Sequence, residues 1–173
     1  MASWSGLLVV AGRVVPGWGM GCALLCIALG LLMRVHSTSR RSAADAGARQ
    51  PPRVPRWMLF LSTAAAALAI VFGAGDDLLN GADYFVLEPE GPGGCRVAVR
   101  ETSFLVMGGG EVFEVGAGGL GRRVGSWTVD DGYRPFRSGT YELDWGRDSG
   151  SLRVDGTGTD PVTRSDIPEI NCG

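Results

Sequence analysis

Two uncharged apolar runs dominate the first half of the chain. Residues 14–33 lie between Arg13 and Arg34 and hold 20 residues without a charge. As a helix that run is about 30 Å long, the thickness of a bilayer core. Pro16, Gly17, Gly19 and Gly21 weaken its first turns, but lipid tolerates such residues better than water does. Residues 57–75 form a second run of 19, opening on Trp57, a residue type suited to the interface, and closing at Asp76-Asp77. The pattern predicts two transmembrane α-helices forming a helical hairpin.

After residue 75 the period changes from helical to strand-like. Residues 84–88 are a short apolar run. Residues 95–101 alternate, with Val97 and Val99 on one face and Arg96 and Arg100 on the other. Residues 104–107 are apolar, and Gly108-Gly109-Gly110 is expected to turn the chain into 111–115. Residues 124–129 carry Trp127. In 140–145, Tyr141, Leu143 and Trp145 point inward while Thr140, Glu142 and Asp144 point outward; a Gly-bounded loop then leads into 151–154. Six or seven short strands with Gly-rich turns predict a small all-β antiparallel sandwich or barrel.

Charge divides the chain at the same place. Residues 1–75 hold seven Arg and Asp45, a net +6, whereas residues 76–173 hold nine Arg and 17 acids, a net −8. All 16 basic residues are Arg. Six of them fall in 34–56, and short basic loops stay cytoplasmic. The expected order is a short extracytoplasmic tail (1–13), a first span (14–33), a basic cytoplasmic loop (34–56), a second span (57–75) and an extracytoplasmic β domain (76–173), all in the cell membrane. The loop lacks periodicity and is broken by Pro, so it reads as irregular. A cleaved signal peptide fits poorly: the run is long, and it exits into Met33-Arg34-Val35-His36 without a small-x-small site. The Arg-only, Ala- and Gly-rich composition resembles that of high-GC bacterial membrane proteins. A net charge of −2 and a pI near 5.4 argue against a nucleic-acid binder.

Helices in lipid pack through small residues. Gly17 and Gly21 on the first helix and Ala65, Ala69 and Gly73 on the second are the candidate packing positions, with a helix-mediated oligomer as a further use of them. Cys22 and Cys26 share a helix face and read as small packing residues, because a metal needs three or four ligands. Cys95 and Cys172 are the two cysteines of the β domain and are expected to pair outside the cytoplasm.

Candidate chemistry is sparse. Gly116-Ala117-Gly118-Gly119-Leu120-Gly121 matches a dinucleotide fingerprint, but a strand rather than a helix follows, so it reads as a hairpin loop. The single His, His36, lies in the loop assigned to the other side of the membrane, which leaves the β domain no Ser-His-Asp or Cys-His site. Asp76-Asp77, Asp130-Asp131 and Glu88 with Glu90 are carboxylate pairs that read as solvated turns. Residues 155–160 place oxygen ligands at alternate positions but depart from a calcium loop at positions 6 and 12. No catalytic residue, cofactor or metal site is assigned. Tyr133, Arg134, Phe136 and Arg137 form a turn-prone segment with residue types common in binding anchors. The expected function is a membrane-anchored, non-enzymatic module that binds a protein or envelope component. The alternatives are an accessory subunit working through its helices and a hydrolase using paired carboxylates.

Overall fold

The computed structural model describes residues 6–42 and 55–172. They divide into a helical unit, Trp18–Ala74, and a β unit that joins the chain before residue 18 to the chain after residue 74.

The helical unit contains α1 (Gly17–Ser42) and α2 (Arg56–Leu79). Both are long and apolar enough to cross a membrane, over Gly17–Arg34 and Trp57–Leu79. Leu24, Ile27, Phe60, Val71 and Phe72 are exposed on them. The first helix starts three residues later than the apolar run. Pro16 pushes the residue before it toward extended backbone, and Val14 and Val15 belong to a strand. It also runs past Arg34 to Ser42, because residues 35–42 contain neither Gly nor Pro to stop it. The rest of the basic segment, 43–54, lies outside the described residues. Gly73 packs against the indole of Trp18, whose Cβ lies 3.0 Å from where a Cβ on Gly73 would be. At this contact a large side chain meets one of the expected small packing positions.

The β unit is built from β1 (Gly6–Val10), β2 (Arg13–Val15), β3 (Asp83–Leu87), β4 (Arg96–Phe104), β5 (Met107–Val115), β6 (Leu120–Asp130), β7 (Tyr141–Trp145), β8 (Gly150–Val154) and β9 (Val162–Asp166), with one helical turn, α3 (Pro135–Ser138). The main sheet is antiparallel in the order β2-β1-β6-β5-β4-β3, and β9 pairs with the far half of β6. The sheet curls until β2 approaches β3, giving a nearly closed barrel. β7 and β8 form a separate hairpin. The mainly antiparallel β architecture expected from the sequence is present, but β1 comes from the segment read as an N-terminal tail and β2 takes Val14 and Val15 from the start of the run read as the first span.

Strand alternation builds two cores. On one face Val97, Val99, Val112, Trp127 and Val129 pack with Phe136, with Leu152 and Val154 of β8, and with Ile170. On the other, Ala98, Phe113 and Val115 pack with Leu7 and Val9 of β1. Cys95 and Cys172 are joined as a disulfide, with Cα atoms 5.4 Å apart.

The triple glycine is not a turn. Gly108, Gly109 and Gly110 lie inside β5, opposite Ser103, Thr102 and Glu101 of β4. The turn is Leu105-Val106, with Leu105 in the left-handed region (φ 54°). Glycine is required in the strand because a Cβ on Gly110 would run into the Arg100 carbonyl oxygen and the Trp127 ring. Replacing Gly110 by Ala is expected to destabilise the β unit by at least the roughly 1–3 kcal/mol usual for overpacking. Urea unfolding of the full chain in mild detergent would measure it, and an unchanged midpoint would contradict this packing.

Because every strand pairing is antiparallel, polarity sorts the connections to two ends. At one end β2 leaves toward α1, the chain from α2 returns into β3, and β4 turns into β5. At the opposite end lie the Ala11-Gly12 turn, the 88–95 loop and the 116–119 turn.

Candidate functional site

The three turns at the end opposite the helix attachments enclose an open groove of about 450 Å³. Its walls are Leu8, Val10 and Ala11 of the first hairpin, Val115 and the 116–119 turn, with Glu90 and Arg96 at one rim. Val9 N–H donates to the Gly119 carbonyl at 2.7 Å, so the first hairpin and the 116–119 turn hold each other in place. Arg96 Nη2 donates to both Glu90 carboxylate oxygens, at 3.1 and 3.0 Å. The fingerprint-like glycines serve this arrangement. Residues 116–119 make the turn between β5 and β6, closed by Gly119 N–H to the Gly116 carbonyl at 2.8 Å. Gly121 lies in β6, where its missing side chain leaves room for Leu7.

The segment expected to bind a partner makes contacts within the fold. Phe136 is only 5% exposed and its ring sits 4.8 Å from both Trp127 and Tyr141, centroid to centroid. Tyr133 is half-buried, with its hydroxyl 3.0 Å from Thr140 Oγ1. Arg134 Nη1 pairs with Asp83, and its Nη2 donates to the Gly81 carbonyl at 2.8 Å. Arg137 Nη1 reaches the same Asp83 carboxylate at 3.2 Å. Phe136 thus fills the core, with Tyr133 and Arg134 partly buried beside it, while the Arg137 side chain remains exposed. The sequence pattern hides this because a buried ring and an exposed anchor look alike in a turn.

Glu101 anchors the same segment. It is fully buried, and its two oxygens accept the Phe136 and Arg137 backbone N–H groups at 2.8 and 3.2 Å. Burial pushes its carboxyl up from the usual range, opposed by those two hydrogen bonds and by the Arg134 charge. A raised carboxyl is a feature of acid catalysts, but this one is sealed from solvent and both its oxygens are engaged.

Asp76, Asp77 and Asp160 are held by neighbouring side chains. Arg100 Nη2 lies 2.6 Å from Asp76 and 2.7 Å from Asp77. Tyr84 donates its hydroxyl to Asp77 at 2.8 Å. Burial works against the Arg100 charge, but the hydrogen bond and attraction to Asp77 outweigh it and the guanidinium is held above its ordinary value. Burial and the Asp77 hydrogen bond raise the Tyr84 hydroxyl. Asp76 and Asp77 thus fasten the last turn of α2 to β3 and β4. In the 155–160 loop, Asp160 accepts both the Thr157 and Thr159 hydroxyls at 2.7 Å, which lowers its carboxyl. Those bonds close the turn on itself. Among the described residues no three His, Cys, Asp or Glu side chains converge as a metal ion requires.

The sequence carries a signal for the hairpin that walls the groove. Two short apolar runs, Leu7-Leu8-Val9-Val10 and Val14-Val15, flank Ala11-Gly12-Arg13, a turn-length spacer with Gly. No protein-family model, curated protein or solved structure matches the chain.

Proposed function

We propose that the chain is a two-span membrane protein whose two ends build one extracytoplasmic β unit, and that this unit is a non-enzymatic module binding a protein partner in the groove between its turns. The observation that carries the reading is strand polarity. The helix attachments lie at one end of the sheet and the groove at the other, which supports a groove left clear of the chain's own helix connections. The exposed apolar surfaces of both helices call for lipid, since water would not tolerate them on so large a scale. The first hairpin and the C-terminal strands share one sheet, which requires both to lie on the same side of a membrane crossed twice. The Arg-rich segment between the helices supports a cytoplasmic opposite side, and the disulfide suits an oxidising compartment.

The partner's chemistry follows from the lining and the charge. The groove is walled by aliphatic side chains and a glycine-rich turn, and the chain after residue 75 carries a net −8. An apolar segment flanked by basic residues fits both, the acidic field steering it and the groove holding it. The test is photo-crosslinking in living cells from Val10 and Ala117, with an exposed site on the β7–β8 hairpin, Arg147, as control. A discrete salt-sensitive adduct from the first two sites and none from the third is expected. Equal labelling at all three, or none at any, would remove the groove reading.

A further inference from the structure

One wall of the groove is the 88–95 loop, which hydrogen-bonds to itself and leans on two neighbours. Gly91 N–H donates to the Cys95 carbonyl at 2.7 Å, and Cys95 N–H donates to the Pro92 carbonyl at 3.2 Å. The first neighbour is Trp145 of β7. Its indole N–H donates to the Pro89 carbonyl at 2.8 Å, and its ring lies so close to Gly91 that a Cβ there would come within 2.7 Å of it. The second is Cys172, bonded to Cys95. That bond sits at the groove itself. Cys95 stands in the chain between Gly94 and Arg96, both lining residues, and Cys172 Sγ lies 3.5 Å from the carbonyl of Val115, another lining residue.

The segment that brings Cys172 there packs Ile167 on the core and exchanges two backbone hydrogen bonds between Ile170 and Gly150. Gly150 in turn carries the Trp145 ring, which a Cβ at Gly150 would approach to 2.5 Å. Segment 167–172, Gly150, Trp145 and the 88–95 loop thus form one stack, and the disulfide closes it at the groove wall.

We propose that formation of the Cys95–Cys172 bond arms the groove: the reduced chain keeps its sheet but does not hold the 88–95 wall in binding position, so capture of the partner waits for oxidation. This regulation rests on the groove reading above. A chain made in the reducing cytoplasm then gains its binding site only on the oxidising side of the membrane. The step is a thiol–disulfide exchange with an oxidising protein disulfide. The Cys172 thiolate attacks one sulfur of that disulfide, forming a mixed disulfide and releasing the oxidant's other sulfur as a thiolate. The Cys95 thiolate then displaces the first sulfur, and the oxidant leaves as a dithiol with the two electrons and two protons the cysteines gave up. Cys172 takes the first step because it is partly exposed, whereas Cys95 is 4% exposed.

Two measurements test the arming. In living cells, the photo-crosslinker at Val10 or Ala117 is compared in the parent chain, in Cys172→Ser and in Ile170→Ala, which weakens the same segment with the bond intact. The adduct is expected from the parent and from Ile170→Ala, and is expected to fall about tenfold in Cys172→Ser as the preorganised wall is lost. An undiminished adduct from Cys172→Ser, or an equal loss in both variants, would overturn the arming and leave the groove reading intact. No adduct from the parent would overturn both. The second measurement covers the case in which Cys172→Ser fails to fold. It uses the purified full chain in mild detergent, oxidised or reduced with a phosphine, below the melting point of the reduced form. The Gly91 and Cys95 amides are expected to exchange about tenfold faster on reduction, through a local opening that low urea does not alter. No acceleration, or one that rises with urea as it does in β4 and β5, would mean that the bond acts through global stability alone and would overturn the arming.

Discussion

Replacing Leu7 by Ala is expected to cost the β unit about 2–5 kcal/mol, the range for removing a buried aliphatic side chain. Position 7 precedes both apolar helices and lies in what the sequence presents as a tail, where truncations are ordinarily harmless. The structure gives it another place. Leu7 is 2% exposed and packs with Val9, Ala98, Phe113 and Val115, beside a strand position where Gly121 leaves it room. Val9 and Val14 complete the same cluster from the two strands of the first hairpin. Without that hairpin one face of the central strands β4 and β5 would lie bare. Hydrogen exchange of the β4 and β5 amides in the detergent-solubilised full chain is the direct measurement. Leu7→Ala should speed it across both strands, while Val10→Ala, at an exposed position of the same strand, should stay within about 0.5 kcal/mol of the parent. Equal small effects at both positions would mean that the first hairpin does not belong to the sheet.

That example shows where the sequence speaks and where it falls silent. The two helices are legible because an uncharged run of bilayer length has few other uses, and the central strands because β4 and β7 alternate cleanly. Counting uncharged residues, however, merges Val14 and Val15 with the helix that follows, and so hides β2. Pro16 is the residue that separates them, through its effect on the backbone before it. β9 escapes because four of its five residues are exposed, leaving no alternation to read. Gly108-Gly109-Gly110 misleads for a steric reason: a backbone packed against the Trp127 ring and the Arg100 carbonyl needs glycine as much as a turn does, and composition does not distinguish the two. Phe136 misleads for the same kind of reason, its ring filling the core from within a segment that looks like a surface loop. The groove was not legible at all, since its walls come from residues 8–11, 90–96 and 115–119, which only the sheet order brings together.

Replacing Cys172 by Ser is expected to have an effect of similar size through the unfolded chain. The disulfide spans 77 residues, and the loop-entropy relation assigns a closure of that length roughly 4.5 kcal/mol, at the upper end of the 2–5 kcal/mol lost when native disulfides are removed. The native side of the balance adds to this. The segment from Ile167 to Cys172 holds no strand or helix, yet Ile170 is fully buried and exchanges two backbone hydrogen bonds with Gly150, at 2.9 and 2.8 Å. Those two bonds and the Ile170 and Ile167 side chains must keep the tail in place once the covalent tie is gone, while Cys95, 4% exposed, stays behind in the core. Thermal unfolding in mild detergent should show a large drop in midpoint, since a unit of this size loses roughly 4–8 °C per kcal/mol. Reduction of the unaltered chain should lower the midpoint by the same amount, and Cys22→Ser with Cys26→Ser should not, because those two thiols are unpaired and exposed on α1. Protease digestion adds a spatial readout: with the bond open, cleavage should begin near Pro168, ahead of any site in β4 to β6. If neither Cys172→Ser nor reduction moves the midpoint, the tail is held by Ile167 and Ile170 and the disulfide closes a loop already closed by packing.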